Sequence, residues 1–193
     1  MRKRTITLLG SNKLISEDKL YLYMYKALKW SQKMNKEINS TFLKNHITDK
    51  ELFYHPLWIA KTLVIAARRP FPPKKIPKMI FVDAISGYRG MLSTVPETVS
   101  IHVKPEHLTN IGIIEEDVKK YIKDVQEKQI NRSYVLKKPD HKLIELSLVY
   151  LPLWRVNVKS DMLNKEFIIN ANTGESEEYM VTFWQENKWM RIS

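Results

Sequence analysis

Apolar and polar residues alternate with a period of two in some segments of this chain and with a helical period in others. Thr5-Ile6-Thr7-Leu8 and Val99-Ser100-Ile101-His102-Val103 have the alternation typical of short strands. One helix is predicted from Ser16 to about Lys36, where apolar and aromatic residues cover most of the circumference. Another is predicted around residues 118–125, where the apolar residues recur at helical spacing: Val118, Tyr121, Ile122 and Val125.

Strand patterns follow this last helix. They cover Ser133 to Lys137, Leu143 to Val158 and Glu166 to Asn170, and a final strand is predicted from Tyr179 to Trp184. In the long segment, seven apolar residues share one parity: Ile144, Leu146, Leu148, Tyr150, Trp154, Val156 and Val158. We therefore expect one face of an antiparallel sheet to be buried under the helix.

Matched pieces of sequence recur about 96 positions apart, which predicts two copies of one unit. Tyr54-His55-Pro56-Leu57-Trp58 corresponds to Tyr150-Leu151-Pro152-Leu153-Trp154, and Val82-Asp83-Ala84-Ile85-Ser86-Gly87 corresponds to Ile169-Asn170-Ala171-Asn172-Thr173-Gly174. Four of the five glycines form two equivalent pairs, Gly10 with Gly112 and Gly87 with Gly174. We expect an α+β fold of two tandem β-α-β-β-β units, each a helix packed on an antiparallel sheet, in residues 1–96 and 97–193.

Two prolines of the matched pieces, Pro56 and Pro152, fall inside strand patterns. Because proline lacks the N–H that a sheet ladder needs, each is expected at a sheet edge, a bulge or a sharp bend. The tyrosine and tryptophan that flank each proline are expected to be core residues, since aromatic side chains bury large areas.

The net charge of +11 is concentrated in the first half of the chain. Residues 1–96 contain 18 Lys and Arg against 6 Asp and Glu, whereas residues 97–193 contain 14 against 15. The first copy also has a basic, proline-rich insertion over residues 68–78, Arg68-Arg69-Pro70-Phe71-Pro72-Pro73-Lys74-Lys75-Ile76-Pro77-Lys78. We expect it to be a stiff, projecting loop that cannot join a central strand.

This basic surface suggests binding to a macromolecule. The first expectation is a protein partner of the basic first repeat. An alternative is nucleic acid, with Arg68, Arg69, Lys74, Lys75 and Lys78 neutralising phosphates and Phe71 or Tyr88 stacking on bases. A further alternative is peripheral attachment to an anionic membrane surface through the same loop. Arg89 completes the candidate set, and the aromatic first helix could lie between the two copies or at a homo-oligomer interface.

No motif in the sequence indicates catalysis. Cysteine is absent, and the five histidines lack the spacing of a zinc site. We therefore expect a non-enzymatic protein with no metal and no cofactor. Apolar runs are too short to span a bilayer, and the expected location is cytoplasmic, or extracytoplasmic if an N-terminal anchor or signal was removed.

A helix followed by antiparallel strands, the last pair ending in Phe81-Val82-Asp83-Ala84-Ile85-Ser86-Gly87, resembles the PepSY family and the wider cystatin-like group. The second copy shows a less complete version, Phe167-Ile168-Ile169-Asn170-Ala171-Asn172-Thr173-Gly174, in which Asn170 replaces the usual acid. The resemblance implies small α+β modules that bind or inhibit partners, are often extracytoplasmic and have no catalytic residues.

Overall fold

In the computed structural model the chain forms a mixed α+β fold, which confirms the expected fold class. The structure describes residues 3–186 and residue 190. The strands are β1 (Arg4–Leu9), β2 (Ile47–Arg68), β3 (Phe71–Asp83), β4 (Arg89–Leu92), β5 (Thr98–Val103), β6 (Asp140–Lys159) and β7 (Asn164–Asn170). The helices are α1 (Glu17–Ala27), α2 (Trp30–Lys33), α3 (Ser40–Asn45), α4 (Glu115–Val125) and α5 (Glu178–Glu186).

The seven strands form one sheet in the order β4-β3-β2-β6-β1-β5, and β7 pairs with β6. Antiparallel pairs predominate: β1 with β5, β2 with β3, β3 with β4, and β6 with β7. A single parallel position, Leu8 with Tyr150, joins β1 to β6. The sheet is therefore open and mainly antiparallel.

Two compact units are distinguished within the chain. Unit 1 contains Met1–His55, Glu97–Thr109 and Tyr150–Thr182, and unit 2 contains Pro56–Pro96, Asn110–Val149 and Phe183–Ser193. The expected division between residues 96 and 97 does not separate these units. Each of them combines segments from both halves of the sequence.

Unit 1 packs a helix from the first half on a hairpin from the second. Leu20, Tyr21 and Met24 of α1 are buried in one core with residues of β6 and β7. The backbone repeats this association at the start of the helix, where the Ile15 N–H donates to the carbonyl of Ala171 at 2.8 Å. Helical spacing predicts which face of α1 is buried, but the hairpin that covers this face lies about 150 residues further along the chain.

Unit 2 shows the reciprocal arrangement. Val118, Ile122 and Val125 of α4 are buried in one core with residues of β2 and β3, which belong to the first half of the chain. The Ile113 N–H donates to the carbonyl of Ala84 at 2.8 Å, as Ile15 does in unit 1. In each unit, the helix thus comes from one half of the sequence and the hairpin on which it packs comes from the other half. We call this the exchanged arrangement.

The turns that end the two hairpins have the same hydrogen bonds. Asp83 Oδ1 accepts from the backbone N–H groups of Ile85 and Ser86 at 2.8 and 3.0 Å. Asn170 Oδ1 accepts in the same way from the N–H groups of residues 172 and 173, at 3.0 and 3.2 Å. Each turn closes at a glycine of positive φ, 74° at Gly87 and 79° at Gly174, a backbone conformation that other residues rarely adopt.

Three sequence expectations about secondary structure are wrong. The first helix ends at Ala27 and not near Lys36, and Lys33 Nζ donates to the free carbonyl of Lys26 beyond that end. The segment from Tyr179 to Trp184 lies in α5, because a short apolar run fits a helix as well as a strand. Ser133 ends a 3-10 helix and residues 135–137 form bends, and Lys138 Nζ donates to the carbonyls of residues 131 and 134 there.

Pro56 and Pro152 are both buried within strands, β2 and β6, that lie inside the sheet order and not at its edges. Each precedes by one residue the first pair of its hairpin, Leu57 with Asp83 and Leu153 with Asn170. Because each proline lies just outside its hairpin ladder, its missing N–H leaves no hydrogen bond of that ladder unmade. Their carbonyls instead accept from the N–H groups of residues 84 and 171.

Candidate nucleic-acid interface on the β2–β3 hairpin

The basic insertion is the far end of a long β-hairpin, so the expectation of a loop that cannot join a central strand is wrong. Residues 74–78 of β3 pair with residues 62–66 of β2, with Val64 opposite Ile76 and Ala66 opposite Lys74, and Arg68 pairs with Phe71 after a register shift. A two-residue turn at positions 69–70 connects the strands. We call residues 61–78 the arm.

Prolines fit in this strand because one edge of the arm is open. The described part of β4 pairs only with residues 79–82 of β3, so residues 71–78 have β2 as their one strand partner among the described residues. Pro77 lies opposite Leu63 in the ladder, and a proline is tolerated there when the missing N–H would face away from the partner strand. Pro73 lies where the register shifts between Lys74 and Phe71, and prolines and irregularities make a strand edge a poor template for another strand.

Alternation along the arm places cations on both of its faces. Val64 and Ala66 continue the buried side of the hairpin, and Lys74 lies opposite Ala66 on that side. Lys75 lies opposite Ile65 and has the other parity, so it belongs to the opposite face. The arm is therefore not a ribbon with one charged side and one neutral side.

Acidic residues are absent from a long stretch around the arm. Residues 52–82 contain no Asp or Glu. Among the described residues, none of the five arm cations that the sequence singles out has an ion-pair partner: Arg68, Arg69, Lys74, Lys75 and Lys78. Uncompensated charge on a projecting element creates a positive potential that attracts polyanions.

The tip of the arm presents an aromatic ring to solvent. Phe71 is 63% exposed and lies opposite Arg68, whose guanidinium carbon is 5.7 Å from the ring centroid. Arg69 is also exposed, in the turn itself. An exposed phenylalanine at a tip that also contains two arginines combines a stacking surface with two phosphate-binding groups.

Two residues of the candidate set lie elsewhere. Arg89 is only 8% exposed, with Nε 2.8 Å from Asp124 Oδ2, so it leaves the set. Tyr88 is half-buried, and its ring stacks on Phe183 with 4.5 Å between centroids. Sequence reasoning could not detect these partners, since they lie 35 and 95 positions away.

The ion pair of Arg89 fixes β4 to α4. Burial alone would raise the pKa of Asp124, but the hydrogen bonds from Lys128 and Arg89 outweigh burial and lower this pKa. Arg89 also donates from Nη1 to the carbonyl of Gly87 at 2.9 Å. The hairpin turn, β4 and α4 are thus held together by charge as well as by the apolar core.

A groove that the sequence did not indicate runs beside the base of the arm. It has a volume of about 500 Å³ and is open to solvent. Its lining joins Lys61, Pro77 and Met79 of the hairpin to Leu92 and Val95 beyond. Lys61 adds a sixth cation to this region, and its position on the same strand parity as Leu63 was readable from the sequence.

No group of three or more His, Asp or Glu side chains among the described residues could hold a metal ion. No helix within the same residues is long and apolar enough to cross a membrane. Comparison of the chain with protein-family models, with curated protein sequences and with solved structures gives no match.

Proposed function

We propose that this protein binds nucleic acid through the phosphate backbone, using the arm, and that it acts by binding and not by catalysis. One observation carries the proposal: a two-stranded ribbon projects five cations without ion-pair partners in the described structure, together with an exposed phenylalanine. A cytoplasmic location, where nucleic acid is accessible, is part of this proposal.

The dimensions of the arm suit a duplex groove. Six to seven residues separate the Thr62–Lys78 pair from the Arg68–Phe71 pair, a reach of about 20 Å at roughly 3.3 Å per residue. A two-stranded ribbon fits the major groove of B-DNA, which is about 12 Å wide. Cations on both faces then approach both phosphate backbones, and Phe71 is available as an apolar wedge or a stacking surface.

The same features make the other two candidate partners less suitable for the arm. A protein partner was the first expectation from sequence, but strand addition to the open edge is disfavoured by Pro73 and Pro77. A membrane is nearly flat on this scale and would engage the cations of one face only. Neither objection applies to a grooved polyanion.

The salt dependence of binding tests the proposal. Fluorescence anisotropy with a labelled duplex of generic sequence should give a slope of log K against log salt near −4.5, from about 0.9 per phosphate contact. This slope corresponds to a loss of about 500-fold between about 50 and 200 mM salt. The double substitution Lys74→Ala with Lys75→Ala should reduce the slope by about 1.8, while Phe71→Ala should weaken binding about tenfold with the slope unchanged.

A matched control keeps the total charge equal. Lys119→Ala with Lys142→Ala removes two exposed lysines of unit 2 that lie outside the arm. This control should leave the slope at its original value. If both double variants reduced the salt slope equally, only the net charge would matter for binding. If the protein did not bind the duplex at low salt, the nucleic-acid proposal would be wrong and a protein partner would be the better hypothesis for the arm.

We also propose that the chain consists of two duplicated units with a common β-α-β-β core, although the last strand expected in each β-α-β-β-β unit is a strand, β4, in the first half and a helix, α5, in the second. The support is that both halves contain a strand, a helix and then a hairpin in this order, that the turns at residues 83–87 and 170–174 are equivalent, and that Ile15 and Ile113 make reciprocal bonds. The resemblance to PepSY-like modules stays a prediction carried by these same turns. So does homo-oligomerisation, although Leu20 and Met24 of α1 are already buried within unit 1.

A further inference from the structure

A second basic surface lies in unit 1, on α1 and the segment that follows it. Residues 19–36 contain five lysines, no arginine, and no Asp or Glu. Trp30 is 77% exposed and Met34 is 63% exposed, values that are unusual for large apolar side chains. The Met34 N–H donates to the carbonyl of Trp30, so the two side chains are one helical turn apart and share a face.

A third apolar side chain extends this face. Met162, in the β6–β7 turn, is 44% exposed, and its Sδ accepts from Asn35 Nδ2 at 3.7 Å. We call Trp30, Met34 and Met162 the Trp30 surface. Two carboxylates, Glu37 and Asp161, border it along the chain, and they are fewer than the lysines.

The lysines around the Trp30 surface are not used in ion pairs within the described residues. Lys33 Nζ donates to the carbonyl of Lys26 and lies over the Tyr25 ring, while Lys26 lies over the Tyr23 ring. Lys29 and Lys36 are exposed. Lys26 and Lys33 thus contact a carbonyl oxygen and tyrosine rings. Within the described residues, no carboxylate neutralises the positive charges of these lysines.

We propose that the Trp30 surface and its lysines dock this protein on an anionic lipid membrane. Tryptophan prefers the headgroup region of bilayers, and methionine side chains enter the acyl boundary beneath it. A cluster of lysines is attracted to a negatively charged leaflet as a set of point charges. A nucleic acid would favour arginines and stacking rings, as at the arm, whereas residues 19–36 contain no arginine and two of the three side chains of the Trp30 surface are methionines.

Vesicle sedimentation of the full chain tests this docking. The protein should sediment with vesicles of phosphatidylcholine and phosphatidylglycerol, and much less with phosphatidylcholine alone. The double substitution Lys29→Ala with Lys36→Ala should lower the vesicle partition coefficient measured by sedimentation about 25-fold, at about fivefold per lysine. Trp30→Ala should weaken it about tenfold and should abolish the quenching of tryptophan fluorescence by brominated lipid.

The arm provides the control that separates this proposal from nucleic-acid binding. Lys74→Ala with Lys75→Ala should leave vesicle binding unchanged, and the two variants of the Trp30 surface should retain both their thermal unfolding transition and their duplex binding. The proposal is overturned if sedimentation does not depend on phosphatidylglycerol, or if it is lost in the arm variant. It is equally overturned if the lysine variant loses duplex binding while vesicle binding is intact.

Discussion

Gly174 is the position where one methyl group tests the exchanged arrangement of helix and hairpin. Its φ is +79°, and a Cβ built there would lie within 2.5 Å of three atoms of the Tyr23 ring. Alanine in the left-handed region costs about 1–2 kcal/mol, and displacing the half-buried ring from its packing costs about 1–3 kcal/mol more. Gly174→Ala should therefore lower the free energy of unfolding by about 3 kcal/mol, or Tm by roughly 6–12 °C.

A double-mutant cycle separates the two contributions. In a Tyr23→Ala background the clash is absent, so Gly174→Ala should cost only the backbone strain of about 1–2 kcal/mol. The coupling energy from urea unfolding of the four proteins should be about 1–3 kcal/mol. Such coupling between positions 23 and 174 requires α1 to pack on the turn that follows β7.

Additive effects of the two substitutions would refute this reasoning, because they would mean that the Tyr23 ring does not contact the turn. Gly112→Ala is the matched control. A Cβ at Gly112 would be 3.4 Å from the carbonyl oxygen of Ala84, and no positive φ is involved. That change should alter stability by less than about 1 kcal/mol in either direction, partly through reduced entropy of the unfolded chain.

Two further predictions concern a buried acid and the exchange itself. Burial raises the pKa of Glu177, so the folded state binds its proton more tightly than the unfolded chain and loses stability as pH rises from the ordinary glutamate range through this raised pKa. Glu177→Gln should thus stabilise the protein at neutral pH and have little effect at acidic pH. Urea unfolding at several pH values measures this difference, and equal stabilisation at both pH values would contradict the prediction. Fragments 1–96 and 97–193 should each lack cooperative unfolding when alone and should show it when mixed, because each core contains residues of both fragments. A single fragment that unfolds cooperatively would disprove the packing of each helix on a hairpin from the other half.

Local patterns were sufficient for the elements with strong periodicity. The strands β1, β5, β6 and β7 and the helix α4 lie where alternation or helical spacing predicts them. They were insufficient for α5, whose short apolar run satisfies both periods. The predicted loop at residues 68–78 failed for a different reason: prolines were taken to exclude strand pairing, whereas the open edge of β3 tolerates them.

The candidate site, like the fold, could be predicted from the sequence only in part. Exposure and charge of Arg68 and Lys75 follow from an insertion too basic and too rich in proline to be buried. The burial of Arg89 does not, because its partner Asp124 is on another element and is brought to it only by packing. Sequence likewise contains the lysines near Trp30, but only the folded chain shows that Trp30 is left outside the core of unit 1.

The sequence by itself determined the α+β class, the apolar face of each amphipathic element and the two turns at Asp83 and Asn170, because these depend on residue spacing and on backbone freedom at glycine. Tertiary structure alone decided that α1 packs on β6 and β7 while α4 packs on β2 and β3. The physical reason is that periodicity specifies which side of an element avoids water, whereas the partner that covers this side is chosen by the packing of the whole chain.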